Sequence, residues 1–173
     1  RATVACHQLM DKGLRVLAFA YKDRNALCVM RNESKNKNPL PITHHSSLED
    51  DLVFLGLIGL EDPPRPEVPD AVLKCHGAGL RIIMITGDGS RTAVAIAREI
   101  ALVKGEPVVI EGADFVKMSD RELRKKLSAK EIIFARMTPK HKMRVVSILQ
   151  EAGERVAVTG DGVNDAPALK KAD

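Results

Sequence analysis

Two apolar runs constrain this chain most. Leu80-Arg81-Ile82-Ile83-Met84-Ile85 and Ile132-Ile133-Phe134-Ala135 are almost unbroken, and each is followed by a helical stripe. A strand covered on one face alternates apolar and polar residues. A strand covered on both faces does not. These runs therefore predict strands of a parallel sheet with helices on either side. The surrounding pattern agrees. Val68, Ala71, Val72 and Cys75 fall at i, i+3, i+4 and i+7, one face of a helix that Gly77 and Gly79 end. Ala93, Ile96, Ala97 and Ile100 mark the next helix, and Val108-Val109-Ile110 a short strand. Ser119 and Glu122 form a capping-box pattern ahead of a helix carrying Leu123 and Leu127. A helix from Lys140 to about Glu151 turns Val145, Ile148 and Leu149 inward, and Arg155-Val156-Ala157-Val158 predicts a last strand. Strands alternating with helices give an α/β fold, a parallel sheet in three layers.

Residues 1 to 53 have a different texture. A short helix is predicted to about Lys12, a half-buried strand over Leu14–Tyr21, an exposed polar loop over Asn32–Pro41 and a second strand over Leu52–Leu60. No internal repeat is present. Of the 173 residues 45% are hydrophobic but only 3% aromatic, with no tryptophan, so the core must be aliphatic. The longest apolar run, residues 52 to 60, is too short for a bilayer, which needs about 20 residues. No signal peptide is visible, and no direct membrane contact is expected of this segment. The net charge of +4 is scattered, and stacking residues are nearly absent. That argues against nucleic acid as a partner and suits an anionic nucleotide. Cys6, Cys28 and Cys75 lack metal-ligand spacing and read as reduced thiols. His44-His45 sits in a polar loop and reads as solvated rather than metal-binding.

The richest stretch is Val158-Thr159-Gly160-Asp161-Gly162-Val163-Asn164-Asp165-Ala166-Pro167-Ala168-Leu169. A short β-rich run leads into a glycine turn, and two carboxylates four positions apart open a helix. Asp161 falls at the carboxyl end of the expected strand, where open α/β sheets bind ligands. Two carboxylates about 4 Å apart repel by about 4 kcal/mol at an effective dielectric of about 20. A Mg²⁺ ion removes that cost, and it needs only one or two carboxylates beside phosphate oxygens. Gly-Asp-Gly by itself is an ordinary acidic turn; the whole run carries the reading.

Two further junctions repeat the layout. Thr86-Gly87-Asp88 ends the first apolar strand and precedes a helix, whose free N–H groups suit an anion. Asp88 or Ser90 would equally serve as a plain N-cap. Ala135-Arg136-Met137-Thr138-Pro139-Lys140-His141-Lys142 again passes from strand to helix, with Pro139 suited to the first turn. Lys142 meets the positive end of that helix, which suits a lysine only if an anion sits there. A solvated surface lysine is the alternative.

Together these elements resemble the later motifs of P-type cation-transporting ATPases, calcium-pump-like and of type II. The catalytic domain of that family is haloacid-dehalogenase-like, with a Rossmann-like three-layer sheet. The resemblance covers essentially the whole chain. It implies that residues 1–53 are the end of a nucleotide-binding domain and 54–173 the later part of a phosphorylation domain. Glu61-Asp62-Pro63-Pro64-Arg65 resembles the crossing between them, and Asp11-Lys12-Gly13-Leu14-Arg15-Val16-Leu17-Ala18 the end of the former. By the same resemblance Thr86, with Gly87 and Asp88, binds the transferred phosphoryl group and Lys142 neutralises it. Asp161 and Asp165 hold Mg²⁺, Asn164 supports them, and Arg15 and Arg136 contact ATP.

Two departures stand out. Gly89 follows Thr-Gly-Asp where many relatives have Asn or His, and the family's nucleophile sequence Asp-Lys-Thr-Gly-Thr does not occur. The resemblance therefore implies a fragment that supplies Mg²⁺ and phosphate ligands but lacks the central nucleophile strand. Its partners would be ATP and the rest of a parent pump, namely that strand, an actuator domain and transmembrane domains. It would lie at the cytoplasmic face of a membrane and be inactive in isolation. The Asp62-Pro63-Pro64-Arg65 stretch favours Ca²⁺ as cargo. A haloacid-dehalogenase-like phosphatase and a non-catalytic Mg²⁺- or nucleotide-binding module are the alternatives. A dinucleotide-binding Gly-x-Gly-x-x-Gly unit and a P-loop are both absent.

Overall fold

The structure is a computed structural model that describes residues 1–22, 52–160 and 162–173. The expected loop over Asn32–Pro41, Cys28, His44-His45 and Asp161 lie outside the described residues. Helix α1 (Ala2–Met10) leads into β1 (Arg15–Tyr21), which pairs antiparallel with β2 (Val53–Leu60), Arg15 opposite Leu60. This ribbon is tied to the rest of the molecule through α3 (Ser90–Glu99). Arg91 pairs with Asp11 at 2.8 Å, and the Thr92 hydroxyl donates to the Leu14 carbonyl at 3.3 Å.

The remainder alternates as its apolar pattern requires. Helix α2 (Val68–Gly77) precedes β3 (Met84–Ile85), and α3 precedes β4 (Val108–Glu111). Helices α4 (Gly112–Phe115) and α5 (Asp120–Leu127) come next, then β5 (Ile132–Ala135) and α6 (Pro139–Glu151). A 3₁₀ turn (Val163–Asp165) and α7 (Ala166–Lys171) finish the chain. The Ser119–Glu122 capping box forms at the start of α5, where the Ser119 N–H donates to Glu122 at 2.8 Å.

β5 is the central strand of a parallel sheet in the order β3-β5-β4. All four of its residues are buried, as its unbroken apolar run requires. Ile132 and Phe134 face one layer, packing with Phe115, Leu123, Leu127, Val145, Ile148 and Leu149 of α4, α5 and α6. Ile133 and Ala135 face the other, with Val72, Ala93 and Ala97 of α2 and α3. Phe115 and Phe134 meet edge to face, their ring centroids 5.8 Å apart. Alternate residues of one strand thus feed two largely aliphatic cores, the three-layer α/β arrangement expected.

Two expected strands are corrected. The Leu80–Ile85 run forms a strand only over Met84–Ile85, which pair with Ile133 and Phe134. Arg155–Val158 forms none. A strand exists only where its N–H and C=O groups find a neighbour, and these two segments lack one on the open side of β3. Val156 is held by another route. Its N–H donates to the Asp173 carboxylate at 2.9 Å, and its carbonyl accepts from the Asp173 N–H at 3.0 Å.

Candidate functional site

Thr86 follows β3 directly, and its loop is stitched to the exit of β5. The Thr86 N–H donates to the Phe134 carbonyl at 2.9 Å, Arg136 N–H to Asp88 carbonyl at 2.8 Å and Met137 N–H to Thr86 carbonyl at 2.9 Å. Within the loop, the Thr86 hydroxyl donates to Asp88 Oδ2 at 2.9 Å and accepts the Asp88 N–H at 3.1 Å. The one hydroxyl proton is thereby committed to Asp88, and it must turn away from that carboxylate to meet a phosphoryl oxygen. Gly87 is exposed in the middle of this turn.

Lys142 lies in the first turn of α6, just past the Arg136–Met137 stitches. Its ammonium forms an ion pair with Asp165 Oδ1. The two side chains are only 23% and 14% exposed, which fits a held cation and not a solvated lysine. The other carboxylate oxygen of Asp165 accepts the Gly162 N–H at 3.3 Å. The Lys142 hydrogen bond, above all, holds the Asp165 carboxyl below the usual aspartate range, with desolvation opposing it and the Gly162 N–H helping. Lys142 of α6 and Asp165 of the 3₁₀ turn, 23 positions apart, thus meet just past the exit of β5.

Asn164 is exposed in the 3₁₀ turn beside Asp165. Mg²⁺ takes hard oxygen donors and is commonly bound by one or two carboxylates, with phosphate and water completing its shell. Asp165 and Asn164 supply a carboxylate and an amide oxygen on adjacent residues. The backbone of Gly160 comes so close that a Cβ there would stand 2.6 Å from Asp165 Oδ2. That closeness leaves no room for a side chain at 160, and a carboxylate and an amide oxygen are donor types that suit Mg²⁺. No cluster of three His, Cys, Asp or Glu side chains forms among the described residues.

Arg136 is exposed beside this edge, in the left-handed region at φ 52°. Arg15 is set apart on β1. Among the described residues no hydrogen bond or ion pair joins its side chain to Thr86, Lys142 or Asp165. A cleft of about 660 Å³ lies between Asp11–Lys12 and the Ser90–Glu99 helix, and no candidate site residue lines it.

His141 is a contributor that the sequence pattern hid. Its Nδ1 accepts the N–H of Thr138, the N-cap of α6, at 3.3 Å, and its ring lies 5.1 Å from that of Phe115. The capping-box pattern calls for Glu or Gln at this place, so a histidine there gives no signal.

A haloacid dehalogenase-like hydrolase profile matches residues 13–173. The chain belongs to that family. It is 41% identical over 169 residues to "Calcium-transporting ATPase 1" of Bacillus cereus, covering 98% of this chain and 17% of that protein. It is 42% identical over 175 residues to "Calcium-transporting ATPase 1" of Yarrowia lipolytica, covering 100% and 17%. The "Cation-transporting ATPase pma1" of Synechocystis is 43% identical over 169 residues, covering 95% and 17%. The chain therefore spans about a sixth of the length of these relatives, 17% in each case. The haloacid-dehalogenase-like expectation holds, and so does the resemblance to calcium-pump-like ATPases. No helix among the described residues is long and apolar enough to cross a membrane.

Proposed function

We propose that this chain is the later part of the phosphorylation domain of an ATP-driven cation pump, with Ca²⁺ as cargo. Residues 1–53 then close its nucleotide-binding domain, and the β1–β2 ribbon straddles the junction. The observation that carries this reading is the Lys142–Asp165 ion pair at the start of the helix that follows β5, whose exit is stitched to the Thr86–Asp88 loop. The identities to calcium-transporting relatives support Ca²⁺. The segment would sit at the cytoplasmic face of a membrane, and the nucleophile strand, actuator and transmembrane domains would be its partners.

In this reading a carboxylate supplied from outside this sequence attacks the γ-phosphorus of ATP. A new O–P bond forms and ADP leaves with the bridging oxygen. Catalysis of such a transfer is mostly positioning and charge stabilisation. Thr86 would turn its hydroxyl proton from Asp88 to a phosphoryl oxygen, and Lys142 neutralises the charge on the transferring group. Asp165 keeps Lys142 at that edge and, with Asp161 and Asn164, would hold Mg²⁺. When bound, Mg²⁺ supplies charge neutralisation and orientation of the phosphates. Arg136 contacts the nucleotide from the same edge, and Arg15 from the β1 side. Without the nucleophile the isolated chain is inactive.

The test is acid-stable phosphoenzyme formed from γ-labelled ATP in the full-length protein that carries this segment. Lys142→Ala should slow its formation by about 10²–10³-fold, the usual loss of one electrostatic stabiliser. An unchanged rate reduces Lys142 to a structural partner of Asp165 and removes the main support.

A further inference from the structure

Gly112 is buried at the junction of β4 and α4, and its φ is not among the positive ones. Conformational freedom is therefore not what calls for glycine there; space is. A Cβ at this position would stand 2.3 Å from the Arg136 carbonyl oxygen, 3.2 Å from the Arg136 carbonyl carbon and 3.5 Å from His141 Cε1. The first contact is with backbone, which cannot swing aside as a side chain can. From the other side the Arg136 N–H is fixed to the Asp88 carbonyl at 2.8 Å. Arg136 itself is left-handed at φ 52°, a region costly for residues other than glycine. Its peptide is thus gripped between the β3 and β4 loops just where the chain turns from β5 into α6. That turn aims the first helical turn, with His141 against Phe115 and Lys142 against Asp165.

We propose that Gly112 is a positioning residue: by lacking a side chain it lets the left-handed Arg136 peptide seat against the β4–α4 junction, and that seat sets where Lys142 stands. This rests on the phosphoryl-transfer reading above and deepens it. Gly112 touches none of the reacting groups. It acts through the Arg136 carbonyl, so the effect should appear in the chemical step.

The experiment uses the full-length protein and measures phosphoenzyme formation per folded molecule, with the rate at saturating ATP separated from the KM. Gly112→Ala should lower the saturated rate by about 10²-fold, the loss expected when a reacting group moves by about 1 Å. In an Arg136→Gly background the same change should cost under about 5-fold, because glycine at 136 lets the carbonyl turn away while β5 and α6 stay put. Gly153→Ala is the comparison. Gly153 sits at φ 85° in the turn after α6, so this variant should lose stability and keep its rate. An unchanged saturated rate in Gly112→Ala overturns the proposal, as does an equal loss in both Arg136 backgrounds. If the unmodified protein forms no phosphoenzyme, the functional reading itself fails. The seat is then judged in the 173-residue chain by backbone amide shifts. Gly112→Ala must move the Arg136–Lys142 amides and Gly153→Ala must not, and any other pattern overturns it.

Discussion

At the scale of single residues the Lys142–Asp165 pair carries a pH signature. Lys142, chiefly, holds the Asp165 carboxyl below its ordinary value. A carboxyl lowered in the folded state adds stability that is complete above its unfolded value, about 3.9 for aspartate. That stability drains away as pH falls through the lower, folded value. The stability gap between the unmodified chain and Lys142→Ala should therefore be fully open at about pH 6 and narrow as pH falls below the ordinary aspartate value of about 3.9. Denaturant melts at several pH values measure it, and a gap that stays constant into acid contradicts the pairing. Much of this site was legible in residue order. Thr86, Asp88 and Lys142 stand at strand-to-helix junctions, and strand ends of a parallel sheet gather at one edge; Asp165 follows a segment that the sequence marks as a strand but that forms none. The partner of each group was not legible. Nothing in the spacing of 23 positions says that Lys142 meets Asp165, and nothing in a lone Gly112 says which peptide presses on it.

At the scale of elements the helix ends show where local sequence and local geometry disagree. Helices α2, α3 and α6 all close with the same pair of backbone hydrogen bonds. The residue two beyond the cap position of the first donates to a carbonyl five back, as in Leu80 to Cys75, Leu102 to Ala97 and Glu154 to Leu149. The residue between must turn left-handed, and in α2 and α6 it is Gly79 and Gly153. In α3 it is Ala101, at φ 56°. An alanine there carries a strain of about 1–2 kcal/mol, partly offset because glycine adds entropy to the unfolded chain. Ala101→Gly should therefore stabilise the protein by up to about 1 kcal/mol. Equilibrium denaturation decides this, and a loss of stability would mean that the Ala101 methyl packs better than the strain costs. The helices other than the short α4, and the strands β4 and β5, were readable because periodicity and unbroken apolar runs are local signals. Leu80–Ile83 and Arg155–Val158 carry the same strand signal and fail to form. Strand formation is a property of a pair, and the pattern of one member does not reveal whether the other is present.

At the scale of the whole molecule those two failures border the same core. Ile83, Ile85 and Val156 all pack on the Phe134 cluster and are only partly buried. In the pump proposed above we expect a further strand of three to five buried aliphatic residues between them. Each such residue is worth about 1.5–3 kcal/mol, so their sum approaches the stability of an ordinary domain, about 5–15 kcal/mol. The isolated chain should accordingly melt below about 65 °C, the upper end for mesophilic domains. Adding the missing strand by extending the chain should raise that midpoint and protect the amides of Leu80–Ile83 and Arg155–Val158 from exchange. A monomeric chain already melting above about 65 °C would count against it.

The Asp173 clasp on Val156 has a consequence for the order of events during folding. Its hydrogen bonds span only 17 positions, so they can close early and hold Val156 near the sheet. A strand arriving from far along a polypeptide closes a much longer loop, and such contacts form slowly. An early, short-range latch that keeps the berth open without sealing it lets the slow piece dock onto a scaffold already in place. Removing the Asp173 carboxylate should then leave the finished protein much as it was and lengthen the time it takes to get there.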